Sequence, residues 1–107
     1  MYAHQTKLGS DAVQELRREG GRYVRGLREA AGLSQRQLAA KVGIEFYTFV
    51  SQIETGRGRI PPDSYRTWAE TLEIEPRAFV RALMRFYDPV THAILFSDAA
   101  PKPANVS

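Results

Sequence analysis

Two short helical patterns lie close together near the middle of the chain and constrain its fold more than any other feature. Ser34 and Gln37 have the spacing of a capping box, which predicts that a helix begins there, and Gly43 ends it after about two turns. A second helix is predicted over residues 46–55. Its apolar side chains recur at i, i+3, i+4 and i+7, at Phe46, Phe49, Val50 and Ile53. Strand-like alternation is almost absent, so an all-α fold is predicted.

A longer helical pattern precedes this pair. Residues 11–31 place apolar side chains at helical spacing, but Gly20 and Gly21 interrupt the pattern. Each glycine costs about 1 kcal/mol relative to alanine in a helix interior. Two alternatives therefore stay open: one kinked helix, or a short extra helix before a second one that starts near Gly21.

The part of the chain after the pair begins with a basic loop over residues 55–63, which contains glycines, prolines and arginines. Asp63 is predicted to cap the N-terminus of a fourth helix. Pro76 suits the first position of the next helix, which Asp88 and Pro89 end. The following VTHAILF segment is apolar and β-branched, which favours a short strand or an extended arm.

These elements predict one all-α domain of five helices, with a possible extra N-terminal helix and a short C-terminal extended arm. A length of 107 residues fits a single domain. We expect a flexible tail over residues 1–9, the helical domain over 10–88, the apolar arm over 89–97 and a disordered tail over 98–107.

Positive charge is concentrated in the first half of the chain. Residues 1–59 hold ten Lys/Arg against six Asp/Glu, whereas residues 60–107 hold five against six. Twelve of the fifteen cations are arginine, whose planar guanidinium suits phosphate and guanine. This asymmetry is typical of a nucleic-acid-binding face, although an arginine-rich solvated surface would give the same composition.

Composition and motifs argue against several other classes of protein. The chain has no cysteine, which excludes disulfides, thiolate zinc sites and cysteine nucleophiles. His4 and His92 lie far apart, and no metal-ligand, Walker or nucleophile-elbow spacing occurs, so we expect no enzyme, metal, cofactor or small-molecule ligand. No signal-peptide pattern is present, and no apolar run approaches the ~18 residues of a membrane helix. We therefore expect a soluble cytoplasmic protein with no membrane partner.

The polar face of the second predicted helix is unusual because none of its side chains is charged. At about 100° per residue, the side opposite the apolar stripe carries Tyr47, Thr48, Ser51, Gln52 and Thr55. Solvated faces normally collect Lys, Glu and Arg, whereas hydroxyl and amide groups can read base edges. We predict that Tyr47, Thr48, Ser51 and Gln52, hereafter the recognition face, contact bases of DNA. A second packed protein interface is the alternative.

Residues that could contact the DNA backbone flank the recognition face. The first helix of the pair presents free N–H groups beside Gln35, which suits a phosphate. Arg57 and Arg59 lie in a glycine-spaced loop and can approach the backbone closely, unless the loop is only an exposed turn. The predicted phosphate contacts are Gln35, Arg36, Thr55, Arg57 and Arg59.

The motifs resemble those of the Cro/phage-repressor-like (XRE) helix-turn-helix proteins. The similar stretch covers residues 22–83 and includes LREAAGLSQRQLAAKVGI, VSQIETGRGRIPP and WAETLEI. The resemblance implies a lambda-repressor-like domain in which Gln35 contacts phosphate and the recognition face contacts bases. It also implies a partly buried ion pair between Arg28 and Glu54, whereas Arg17 is expected to lie at the surface.

The function predicted from these observations is sequence-specific binding of double-stranded DNA by a transcriptional regulator, associated with the nucleoid when bound, that represses by occupying its operator. One recognition helix reads few base pairs, so a homodimer on a pseudo-palindromic operator is expected. The residues assigned to the dimer contact are Phe79, Leu83, Phe86, Tyr87, Ile94 and Phe96. Alternatives are an antitoxin-type protein-interaction module that also binds DNA, an activator that contacts RNA polymerase, and an arm that folds back onto its own domain.

Overall fold

Six α-helices and one short 3-10 turn make up the computed structural model, which describes the backbone of residues 2–97 and the side chains of residues 9–97. No strand occurs within this range, which confirms the all-α prediction. The disordered tail predicted over residues 98–107 lies outside the described residues. The helices are α1 (Tyr2–Ala30), α2 (Gln35–Val42), α3 (Thr48–Glu54), α4 (Tyr65–Thr71), α5 (Pro76–Tyr87) and α6 (Pro89–Phe96).

The first helix runs without a break through the two glycines, which settles the alternatives left by the sequence. A Cβ at Gly20 would lie 2.9 Å from the Cβ of Phe86, and a Cβ at Gly21 would overlap the carbonyl oxygen of Glu54. Glycine is therefore needed because α5 and the end of α3 approach the α1 backbone closely. The helix also extends back to Tyr2, so residues 2–9 belong to α1 instead of forming a separate tail.

The second and third helices form the helix-turn-helix pair. The Ser34 hydroxyl accepts a hydrogen bond from the Gln37 N–H at 3.0 Å, and the Gln37 side chain accepts one from the Ser34 N–H at 2.8 Å. Gly43 adopts φ 79°, the left-handed conformation that ends α2. The third helix begins at Thr48, two residues later than predicted, and Phe46 lies 66% exposed in the turn and not on the buried face.

The later helices depart from the sequence prediction in two places. Asp63 does not cap α4; it lies in the 3-10 turn Pro62–Ser64, and α4 follows without a side-chain cap. The extended arm predicted over residues 89–97 is wrong, because residues 89–96 form α6. Asp88 caps this helix by accepting a hydrogen bond from the Thr91 N–H at 3.2 Å.

The core lies where α1, α3, α4 and α5 meet. Its fully buried side chains come from these four helices, from α2 and from the loop after α3, and the largest are Trp68, Phe79, Leu38, Ile53, Ile60 and Leu83. The third helix packs against α1 and α2, whereas α5 packs against α1, α4 and α6. One face of α3 and the outer face of α6 are therefore left toward solvent.

Three of the six residues assigned to the dimer contact belong to this core instead. Phe79 and Leu83 have no exposed surface and Tyr87 is 8% exposed, so all three belong to the core of their own domain and cannot line an interface. Phe86 is half-buried beside Gly20. The exposed apolar surface lies further along the chain, on α6, at Val90, Ile94 and Leu95.

Candidate nucleic-acid interface

The solvent-facing side of α3 carries only uncharged hydrogen-bonding side chains. Thr48 and Gln52 are exposed and Ser51 is half-buried. On the opposite side, Val50 and Ile53 are buried in the core, so the recognition face cannot turn inward. Hydroxyl and amide groups held in this way can donate to and accept from base edges in a major groove.

Tyr47 lies at the N-terminal cap of α3 and contacts α2. The Arg36 guanidinium stands over its ring, 4.2 Å from the centroid. Both side chains are exposed, so the cation–π contact orients an arginine at the surface without burying it. The structure thus brings a predicted base-reading residue and a predicted phosphate contact together at the start of the recognition face.

A buried ion pair behind the interface fixes the position of α3. The Arg28 Nε and Nη2 donate to the two Glu54 carboxylate oxygens at 2.7 and 3.0 Å, and Arg28 Nη1 donates to the Leu33 carbonyl at 2.8 Å. The hydrogen bonds to Glu54 are the main cause that raises the pKa of Arg28 above its ordinary value. The pair therefore joins the end of α1, the turn before α2 and the end of α3 through charge-assisted hydrogen bonds.

Gln35 is placed at the first position of α2, where the resemblance predicted a phosphate contact. Its side-chain Nε2 donates to Glu54 Oε1 at 3.0 Å, and the residue is half-buried. In this structure Gln35 thus contacts the ion pair. Its phosphate contact stays a prediction.

The turn that follows α3 separates the two predicted loop arginines. The Thr55 hydroxyl donates to the Ser51 carbonyl at 2.9 Å, beside the backbone hydrogen bond of 3.0 Å that the Thr55 N–H donates to the same oxygen. Arg57 is exposed, whereas Arg59 is half-buried with its guanidinium 4.6 Å from the centroid of the Tyr87 ring. Arg57 is therefore the freer of the two cations, and Arg59 is anchored to the core.

Sequence reasoning missed Arg17, which was expected to be an ordinary surface residue. It is half-buried, and its guanidinium lies 5.8 Å from the centroid of the Tyr87 ring, so Arg17 and Arg59 both contact this ring. The Tyr87 hydroxyl accepts a hydrogen bond from the Ile60 N–H at 3.2 Å, and burial raises the pKa of Tyr87. No local pattern could have identified this cluster because it depends on how α1 crosses α5.

Within residues 9–97, no group of three or more acidic or histidine side chains is arranged to hold a metal ion. No helix in the described part of the chain is both long enough and apolar enough to cross a membrane.

Comparisons with known proteins agree with this geometry. A family model described as a helix-turn-helix domain matches residues 20–88. The crystal structure of the restriction-modification controller protein C.AhdI from Aeromonas hydrophila is similar, with 34% sequence identity and a TM-score of 0.53 over 61% of this chain and 96% of that chain. The comparison with curated proteins gave no match. The chain belongs to the helix-turn-helix domain family, in its XRE-like form, and is a DNA-binding regulatory protein.

Proposed function

We propose that this protein represses transcription by placing α3 in the major groove of a specific operator, as a homodimer. The observation that carries the proposal is the uncharged recognition face, which is exposed and held in position by the buried Arg28–Glu54 pair. A rigid helix with hydroxyl and amide side chains can distinguish bases without relying on charge. The proposed binding to the operator requires no cofactor.

Base reading is assigned to the recognition face. Gln52 is exposed and has the amide geometry that pairs with adenine through two hydrogen bonds. Ser51 and Thr48 hydroxyls can donate or accept, and the Thr48 methyl can contact a thymine methyl. Tyr47 contributes at the entry of the helix, where its ring also orients Arg36.

Backbone binding is assigned to residues that surround this face. Arg36 and Arg57 are exposed cations, one before α3 and one after it, and can each neutralise a phosphate. Gln35, Thr55 and Arg59 support them from positions that also stabilise the fold. Phosphate contacts fix the register of α3 on the duplex but carry no sequence information.

Dimerisation is assigned to the outer face of α6. Val90, Ile94 and Leu95 are 70, 75 and 60% exposed, an unusual density of large apolar side chains on a helix of eight residues. Two copies paired by a two-fold axis would present two recognition helices, which suits a pseudo-palindromic operator with half-sites about one helical turn apart. A partner protein that covers α6 is the competing occupant of this face.

A second candidate function follows from the similarity to the controller protein. The match includes nearly all of that chain at 34% identity, so control of a restriction-modification locus is the most specific regulatory role that the comparison supports. Repression and activation use the same DNA contacts. They differ in where the bound operator lies relative to the promoter.

Mapping the bound sites in the genome and measuring the oligomeric state together test the proposal. We expect recovered sites with two-fold symmetry that overlap promoters, and a dimer by sedimentation. Ile94→Asp should shift the dimer to monomer and weaken operator binding, whereas Thr67→Asp, which adds the same charge on an exposed position of α4, should change neither. A wild-type monomer that binds its sites singly would contradict the dimer, and enrichment of no sequence would contradict specific binding.

A further inference from the structure

The N-terminal part of α1 lies outside the helix-turn-helix domain yet packs against the turn that ends α3. The family match begins at residue 20, whereas α1 begins at Tyr2. Gly56 has φ 85°, and a Cβ there would lie 2.8 Å from the Arg18 backbone nitrogen and 3.0 Å from the Arg17 carbonyl carbon. The two backbones are therefore in direct contact.

A groove of about 640 Å³ opens at this contact. Four residues of α1 and three of the turn line it: Val13, Gln14, Arg17, Arg18, Thr55, Gly56 and Arg57. Its volume is in the range that admits a drug-sized ligand, so a segment of a sugar–phosphate chain can enter it. We call this site the α1 groove.

The α1 groove is positively charged and incompletely neutralised. Arg18 pairs with Glu15 at 3.1 Å, but both side chains are about half exposed, so water screens the pair. Within residues 9–97, no salt bridge involves Arg17 or Arg57, and the buried Arg17 Nε has no hydrogen-bond partner. Arg17 contacts the Tyr87 ring but has no acidic counter-ion among the described side chains, and guanidinium groups that lack a carboxylate partner beside a concave surface suit an anion that brings acceptor oxygens.

The position of the α1 groove points to one kind of anion. Thr55 belongs to its wall and also continues the exposed face of α3, one turn beyond Ser51 and Gln52. A duplex that lies along α3 therefore passes the groove, and the anions it presents there are phosphodiesters. An acidic protein segment would have no reason to be aligned with α3.

We propose that the α1 groove binds the DNA phosphate backbone beside the base pairs that α3 reads, so that the N-terminal part of α1 extends the DNA contact beyond the helix-turn-helix domain. The proposal rests on the proposed DNA binding. It adds two phosphate contacts, from Arg17 and Arg18, to those expected from Arg36 and Arg57. Both contacts are independent of base sequence.

Binding isotherms on a random-sequence duplex at several salt concentrations test the proposal, because each lost phosphate contact lowers the slope of log K against log salt by about 0.9. Arg18→Gln should lower the slope by about this amount. Between 50 and 200 mM salt, the affinity of this variant should then fall by a factor about 3- to 4-fold smaller than that of the wild type. Arg17→Gln should act similarly, and Arg17→Lys should restore the slope. Arg77→Gln is the matched control, since Arg77 is exposed on α5, which packs away from α3, and its slope should equal that of the wild type.

The outcomes separate this proposal from the one on which it rests. Wild-type binding with equal slopes for Arg18→Gln and Arg77→Gln would overturn the α1 groove and leave DNA binding by α3 intact. If the wild type bound no duplex at all, the proposed function itself would fail. Thermal unfolding of each variant identifies any loss of folding, and Arg18→Gln keeps the test decisive if loss of the Tyr87 contact unfolds Arg17→Gln.

Discussion

Glu54 is the residue on which the geometry of the interface most directly depends. It is 6% exposed, and its two carboxylate oxygens accept three hydrogen bonds, two from Arg28 and one from Gln35. Because Glu54 is the last residue of α3, this arrangement fixes the end of α3 to α1 and α2. The side chains proposed to read bases are thus positioned by a buried charge behind them.

Removing either partner of this pair should destabilise the protein strongly. Arg28→Ala or Glu54→Ala leaves a buried charge without its counter-ion, which typically costs about 3–5 kcal/mol. Denaturant unfolding measures this loss. Arg25→Ala is the control because it removes a guanidinium from an exposed pair with Glu29, and should cost less than about 1 kcal/mol. Equal, small losses in all three variants would mean that the pair contributes no more than a surface contact.

The sequence was sufficient to identify this pair but not its neighbours. Arg28 and Glu54 belong to motifs that the resemblance aligns, so their contact could be predicted without coordinates. The hydrogen bond from Gln35 to Glu54 and the contact of Arg17 with Tyr87 depend on rotamers and helix crossings. Neither contact could be predicted from the local sequence pattern.

At the scale of elements, the crossing of α1 over α3 determines where α3 lies. Gly21 allows the α1 backbone to touch the Glu54 carbonyl, and Gly56 allows the following turn to touch α1 again at Arg18. Two close approaches on one side of α1 leave α3 little freedom to shift. The double glycine, which by helix propensity alone would weaken α1, is therefore required for packing.

Glycine-to-alanine substitutions in α1 test this explanation. Gly21→Ala should lower the free energy of unfolding by about 1–3 kcal/mol, because the new methyl group overlaps backbone that cannot move independently. Gly26→Ala is the control: nothing lies within 4 Å of the position that its new methyl group would take, so it should gain up to about 1 kcal/mol from helix propensity. Stabilisation by both substitutions would show that α1 and α3 are not in contact at Gly21.

The side chain that caps α5 predicts how the stability of the protein depends on pH. Glu75 accepts hydrogen bonds from the N–H groups of Arg77 and Ala78, which hold its pKa below its ordinary value of 4.5. A carboxyl whose pKa is lowered by folding stabilises the protein above its unfolded pKa, and this stabilisation is lost as the pH falls through its folded pKa. The melting temperature should therefore fall from about pH 5 to about pH 3, and less steeply in Glu75→Gln. Parallel profiles for the two proteins would show that this cap is not linked to folding.

Local signals determine which elements could be predicted. The Ser34–Gln37 capping box and the Gly43 stop identify α2 because those signals depend only on neighbouring residues. The sixth helix was not predicted because Asp88-Pro89 is typical of a helix end. In the structure, Asp88 also caps α6 and Pro89 occupies its first position. The β-branched residues that follow then favour an extended arm.

For the whole molecule, the sequence predicted an apolar excess near the C-terminus but not how the fold divides it. Phe79 and Leu83 fill the core of their own domain, whereas Ile94 stays exposed on α6. The periodicity of α5 alone could not separate a core face from an interface face, since both are apolar. Only the packing of α5 against α1 and α4 separates them.

We propose that α3 reads bases while the turn after it contacts phosphates. The most direct test is a set of binding isotherms for the wild type, Gln52→Ala and Arg57→Ala on an operator duplex and on a scrambled duplex, each at several salt concentrations. Gln52→Ala should lose about 1–3 kcal/mol of preference for the operator with an unchanged salt slope. Arg57→Ala should weaken binding to both duplexes alike and lower the slope by about 1. If Gln52→Ala kept the full operator preference, the recognition face would be assigned to the wrong side chains.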